Sequence, residues 1–300
     1  MVREVAEYII GPETGVFIDL TCGGGGHLNF LSGLLSEDAH LIGIDQDIAA
    51  IEAAEQNLKS LPQKVTVINI NFSRFEKALY DLEIERIDGA LMDLGLSSPQ
   101  IDTPDRGFSF MTDGPLDMRM NKDAKLTASD IVNSYDYDKL KRLFKFYGEE
   151  AKPARPAKAV VEAREKRKIE TTSQLADILA RLYPANRRNS SLARLFQALR
   201  IEVNGEIERL KKTVPSVISR LNTGGRMVVL SYHSLEDRVV KRCFASKAKA
   251  MTGPSDLPPE ISGTPPEVKI LTRKVIKPSA GEVDENPRAR SARLRAVEKL

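Results

Sequence analysis

The chain has 300 residues, 41% of them hydrophobic and 29% charged, which is enough apolar material for one large or two modest cores and excludes disorder throughout. A net charge of +3 is too small to identify a partner by itself. The two cysteines, Cys22 and Cys243, are too few for a disulfide scaffold and lack metal-ligand spacing, so no metal is expected and a reducing compartment is. There is no basic start followed by a long apolar stretch, and no apolar run nears the ~20 residues of a membrane span, so a soluble cytoplasmic protein is the expectation.

In chain order, Val16, Phe17 and Ile18 form an apolar run that ends at Asp19. The chain then passes through Thr21 and Cys22 into four consecutive glycines, Gly23 to Gly26, and helical spacing follows from His27 to Leu35. That is a strand, a tight turn and a helix start. Glycines allow positive φ and let a ligand lie against the backbone, while a helix N-terminus offers unpaired N–H groups. A second strand, His40 to Ile44, ends in Asp45, and a helix over 48–61 follows with Asp47 as its N-cap. Val65 to Ile70 reads as a third strand, Phe72 to Leu82 as a helix, and Ile87 to Met92 as a fourth strand ending in Asp93. This alternation implies right-handed βαβ units and a parallel sheet covered on both faces.

The pattern breaks from Leu94 to Asn121, a long stretch rich in Gly, Pro, Ser and Asp that shows neither period and reads as a functional loop. Only helices follow to about Leu210, over 137–146, 157–168, 173–182 and 192–210. Strands return with Arg226 to Ser231, and a helix over 234–248 has a capping-box-like start at Ser234 and Asp237. The proline-rich stretch Met251 to Pro266 reads as a surface loop. Glu267 to Ile276 and Ala292 to Val297 read as an antiparallel pair closing one sheet edge. The expected division is 1–110 with 212–300 as an α/β domain and 111–211 as an inserted helical domain.

Two ligand types fit a strand, glycine turn and helix. A dinucleotide needs an acidic residue after the second strand for a ribose hydroxyl, and Asp45 supplies it. A P-loop needs a lysine after the glycines, and none is present. A third option is S-adenosylmethionine. Asp19, just before the turn, would repel a pyrophosphate but suits a ligand carrying an ammonium and a sulfonium, so electrostatics favour the methyl donor. A nicotinamide oxidoreductase and a non-catalytic RNA-binding or assembly factor are the competing readings; the set Gly25, Gly26, Asp45 and Asp93 argues against the latter.

The segments DLTCGGGGH, LMDLGLSSPQ, RGFSF with GPLDMRM, LFQALRIEVNGE, SYHSLEDRVVK and ENPRARSARLR run in order along nearly the whole chain. In these the chain resembles the RsmH (MraW) family of rRNA small-subunit methyltransferases. The resemblance implies a class I, Rossmann-like methyltransferase sheet with an inserted all-helical substrate-recognition domain. It implies transfer of a methyl group from S-adenosylmethionine to the exocyclic N4 of a cytidine in 16S rRNA of the small ribosomal subunit. The cofactor contacts it implies fall on Gly25, Gly26, His27, Asp45, Phe72, Asp93 and Gln100, beside Asp19 and Gly23 read from the turn itself. One departure is at the start, where the family's His-x-Pro-Val segment would precede Val2. Another is Pro153 and Pro156, which interrupt a basic stretch and place a helix start near Pro156.

Methyl transfer to a ring amine needs acceptors for its hydrogens as the nitrogen attacks. Asp93, Ser97 and Ser98 are the candidates by position. For RNA, Arg106 and Arg119 in the long loop, Lys139 to Lys145 and Lys152 to Lys168 in the inserted region, and Arg288, Arg290, Arg293 and Arg295 offer positive charge. Blander roles stand beside these: Asp45 as a helix cap, Phe72 as core, Cys22 as a packing residue, His233 as structural, and the basic faces as solvated.

Overall fold

The structure is a computed structural model that describes residues 1–252 and 263–300. The chain divides into two compact units, Met1–Gly95 with Ile207–Leu300, and Leu96–Glu206. The loop expected over 251–266 falls largely outside the described residues, and a short antiparallel ladder joins Met251–Thr252 to Gly263–Thr264.

The first unit holds β1 (Val16–Asp19), β2 (His40–Asp45), β3 (Lys64–Asn69), β4 (Ile87–Asp93), β5 (Leu221–Ser231), β6 (Val268–Ile270) and β7 (Arg293–Lys299). They form one sheet in the order β3-β2-β1-β4-β5-β7-β6. The first five are mutually parallel, and β7 pairs antiparallel with both β5 and β6. Strict alternation along the strands feeds two cores. Ile18, Ala90, Met92, Met227 and Val229 point to one face, where they meet Phe75, Val214 and Phe244. Phe17, Leu91, Val228 and Leu230 point to the other, against Val5, Leu28 and Ile51. Central strands apolar on both faces are what a doubly covered parallel sheet requires.

Helices α1 (Val2–Ile9), α2 (Gly26–Ser32) and α3 (Ile48–Leu58) cover the second face, and α4 (Phe75–Asp81) covers the first. Asp47 caps α3 as its position predicts, its side chain accepting from the Ala49 N–H. The helix α1 is not signalled by the residues singled out above, because its one buried stripe is only Val5, Ala6 and Ile9. Strand β5 starts earlier than Arg226: its register against β4 jumps between Ile87 and Gly89, where Gly224 adopts a positive φ of 82°.

The second unit contains α5 (Ser98–Asp102), α6 (Ala128–Ser134), α7 (Tyr137–Phe146), α8 (Ala154–Arg164), α9 (Thr172–Ala180) and α10 (Ala185–Asn204) around Leu140, Phe144, Val160, Leu175, Leu195 and Leu199. It begins at residue 96 and not 111, because Leu96, Phe108 and Phe110 pack on this core, Phe110 edge-on to Phe196 at 5.4 Å. It ends at 206 and not 211. Gly205, at φ 59°, terminates α10, and the chain restarts as α11 (Glu206–Arg220), so one expected helix is two. Helix α8 starts at Ala154, two residues before Pro156, with Pro153 as N-cap. Pro156 lies in the first turn, where its missing N–H costs nothing.

The long loop over 94–121 has a short-range period after all. In the stretch 116–120, Leu116, Met118 and Met120 are buried while Asp117 and Arg119 pair sideways at 2.6 Å. Asn204 secures it, donating to the Met118 carbonyl and accepting from the Met120 N–H, both at 2.9 Å.

After β5, α12 (Ser234–Lys247) is capped by His233 with Glu236, one residue earlier than the Ser234–Asp237 pair expected. Glu236 reaches back to the N–H groups of Tyr232 and His233, which gives His233 the structural role considered for it. A short helix α13 (Ala280–Glu285) lies in the segment between β6 and β7.

Candidate active site

In an open parallel sheet, ligands bind beyond the carboxyl ends of the strands, near the point where strand order reverses. Here the reversal lies between β1 and β4, and the acidic residues Asp19, Asp45 and Asp93 end β1, β2 and β4.

The glycines do different jobs. Gly23, at φ 50°, donates its N–H to the Asp45 Oδ2 at 3.0 Å. Gly25, at φ 81°, caps α2, and a Cβ there would stand 2.9 Å from Leu58, so helix packing already requires a glycine. At Gly23 and Gly26 a Cβ would meet nothing within 4 Å, which marks open space along the turn. Cys22 fills the gap above Gly43, and burial pushes its thiol pKa up, so it is a packing residue and no nucleophile.

Asp19 is wholly buried. Its Oδ1 accepts the Thr21 N–H at 3.1 Å and its Oδ2 has no partner. Burial raises its carboxyl pKa to about 7, with Asp93 and Asp45 adding to the rise against His27 and the Thr21 hydrogen bond. Burial also raises the Asp45 pKa, opposed by backbone N–H groups of Asp47 and Gly23. Its two oxygens each accept one of these, Oδ1 from Asp47 at 2.9 Å, leaving lone pairs for further donors. Asp93 accepts from the Tyr232 hydroxyl at 2.9 Å and faces the His27 Nε2 at 3.3 Å, while its N–H donates to the Thr21 hydroxyl at 2.6 Å. Burial works against charge on His27, but Asp93 and then Asp19 outweigh it and hold the imidazole pKa above its ordinary value. Three carboxylates and the His27 imidazole thus share one end of the sheet. That set of acceptors, with an unpartnered carboxylate oxygen and the room over Gly23 and Gly26, fits a cationic ligand and opposes a pyrophosphate.

Residues 1–300 match the model of the MraW methylase family. The chain belongs to the MraW methylase family. Two relatives are each called ribosomal RNA small subunit methyltransferase H. The Clostridium botulinum (strain Loch Maree / Type A3) protein is 43% identical over 302 residues, covering all of this chain and 97% of its own. That of Chlorobaculum parvum is 48% identical over 303 residues, covering 97% and 95%. A solved rRNA methylase from Streptococcus thermophilus aligns with all of this chain and 93% of its own at 12% identity and a TM-score of 0.44. As a MraW-family methyltransferase the chain takes S-adenosylmethionine as its methyl donor.

For a MraW member the structure sorts the expected residues clearly. It brings together Asp19, Gly23, Gly26, His27, Asp45 and Asp93 in the first unit. Phe72 opens a turn at the end of β3 and is half-buried against the sheet core. In the second unit, Ser97 caps α5 and its N–H donates to Gln100 Oε1 at 3.2 Å, so both have capping roles. The Ser98 side chain lies outside the described part.

Arg106 and Arg119 are not the exposed RNA-facing cations expected. Arg106 is buried and donates to the carbonyls of Arg119 and Met120. Arg119 binds both Asp117 oxygens and the carbonyls of Lys122 and Ala124. Both guanidiniums brace the loop. Arg293 and Arg295 pair with Asp237, whereas Arg288 and Arg290 are exposed on the turn over 287–291.

Tyr232 was missed. The sequence shows only that it follows the apolar strand RMVVLS; the pairing of that strand with β4 is what puts it next to Asp93.

Proposed function

We propose that this protein methylates the exocyclic N4 of a cytidine in the 16S rRNA of the small ribosomal subunit, in the cytoplasm. The observation that carries the rRNA assignment is full-length similarity to relatives named for that substrate. The N4-cytidine assignment is what the resemblance carried by the motifs GPLDMRM and HSLEDR implies, and Asp93 is an acceptor suited to it.

S-adenosylmethionine supplies an electrophilic methyl group when bound. The residues of the chain do the rest. Asp45 offers carboxylate lone pairs to the ribose hydroxyls, and Phe72 offers a ring face to the adenine. Asp19 and its neighbours stabilise the positive methionine end through the local negative field. Asp93, at the carboxyl end of β4, is a fixed acceptor for an amino hydrogen of the base. A cytidine amine is conjugated into its ring, and holding that hydrogen lets the nitrogen pyramidalise toward the methyl group. Leu96–Glu206 is the substrate-recognition unit in this reading. Exposed Arg288 and Arg290 belong to the approach surface for RNA phosphates.

The test is incubation with labelled cofactor and small subunits from a strain lacking the activity, followed by mass-spectrometric mapping of the labelled nucleotide. The expected result is label on one cytidine base. Label on another base, or none, overturns the assignment.

A further inference from the structure

The Asp93 carboxylate has both oxygens engaged from two separate elements. Tyr232, two residues beyond the β5 register partner of Asp93, donates its hydroxyl to Oδ1, and His27, near the start of α2, faces Oδ2. About a quarter of the Asp93 side chain is still accessible, so it has an open side. A carboxylate bonded on one oxygen only can swing about its side-chain torsions. Bonded on both, it is held in one orientation, and the directions of its remaining lone pairs are fixed with it.

Tyr232 is itself held. Its backbone N–H donates to the buried Glu236 at 2.9 Å, and its ring lies against Gly95, where a Cβ would stand 3.3 Å from the ring. Gly95 also has a φ of 112°, so the chain leaving β4 is shaped to admit this ring. Burial and the Asp93 charge push the phenol pKa up, which keeps it a donor.

We propose that Tyr232 is a positioning residue for methyl transfer: with His27 it clamps the Asp93 carboxylate so that its free lone pairs meet the amino hydrogen of the acceptor base. The clamp rests on the assignment of Asp93 as the acceptor. Tyr232 need not touch cofactor or substrate. Its hydroxyl acts through Asp93, and a displaced carboxylate costs rate and not cofactor affinity.

The test compares wild type, Tyr232→Phe, Asp93→Asn and the double variant. Tyr232→Phe is expected to lower kcat by roughly 10- to 100-fold while the KM for S-adenosylmethionine changes less than about 3-fold. In the Asp93→Asn background the same change is expected to cost less than about 2-fold, because the group it positions is gone. A readout without turnover accompanies these. The chain has three histidines, so the His27 ring can be followed by NMR in the cofactor-free protein. Among the described residues, the charged groups that act on this ring are Asp93, Asp19 and the N-terminal ammonium. Its titration midpoint is expected to rise in Tyr232→Phe, as Asp93 is no longer shared with the phenol. An unchanged kcat, an equal loss in both backgrounds, or an unmoved His27 midpoint overturns the clamp. A wild-type protein that methylates no small-subunit RNA would overturn the substrate assignment instead, and the His27 readout would stand apart from it.

Discussion

Asp19→Asn should make the protein more stable relative to wild type as pH rises, and a poorer binder of its cofactor. The wild-type carboxyl is wholly buried with a pKa raised by burial to about 7, whereas an unfolded chain titrates it near its ordinary value of 3.8. The folded state therefore holds the proton more tightly. Its stabilising contribution is full at low pH and is lost as pH rises from about 4 through 7. Between pH 5.5 and 8 the loss is about 2 kcal/mol, from the two binding polynomials. Asparagine does not titrate, so the melting temperature of the variant minus that of wild type should grow over this interval. For a unit of this size, at 2–4 °C per kcal/mol, the growth is roughly 4–8 °C. The fixed cost of burying an amide cancels in the comparison. Scanning calorimetry at both pH values is the assay, since the chain has no tryptophan to report fluorescence. Titration calorimetry at pH 7.5 should show S-adenosylmethionine binding at least ~10-fold weaker, as one charge leaves the negative field. A pH-independent melting difference would refute the titration argument, and undiminished affinity would refute the cationic-ligand argument.

Charge reversal at both Arg288 and Arg290 should weaken RNA binding, most visibly at low salt, and leave cofactor affinity unchanged; equal loss of both would count against their place on the approach surface. Gly25→Ala should lower stability by ~1–3 kcal/mol in chemical denaturation, because it forces a positive φ and meets Leu58. Gly26→Ala, with open space around its Cβ, should leave stability nearly unchanged and weaken cofactor binding, and a reversed pattern would undo the division of labour in the turn. Arg106→Met should destabilise the protein by about 2–4 kcal/mol by removing the guanidinium bonds to two loop carbonyls, visible as a lower melting temperature. RNA affinity lost without such destabilisation would restore Arg106 to the RNA surface.

The residues at the turn were legible because strand ends are marked locally. An apolar run stops at an acid, glycines follow, and a helix period begins, so Asp19, Asp45 and Asp93 could each be placed from a dozen neighbours. Tyr232 could not be tied to Asp93 this way, since the two lie 139 residues apart and meet only through the pairing of β4 with β5. Arg106 and Arg119 read as surface cations because nothing local shows that carbonyls of their own loop will take their donors. The alternation over 116–120 escaped notice because five residues are too few to separate a period of two from irregular chain. Gly205 was visible in sequence, but a glycine within a helical pattern does not announce a positive φ.

The pairing of β4 with β5 also sets an order of events at the ribosome. Ile87–Asp93 is synthesised early, yet its partner positions, up to the Leu230 that faces Asp93, emerge roughly 140 residues later. At ~5–20 residues per second, that is about 7–28 s. Through this interval the half-sheet of β1 to β4 carries the apolar strand IDGALMD as an unpaired edge, a template for association with other nascent chains. The helical unit, whose whole sequence is finished before β5 begins, can close its own core meanwhile. The nascent chain is therefore most exposed to misassembly in the time it takes to make the insertion, and chaperone dependence should rise with any change that slows translation between residues 96 and 231.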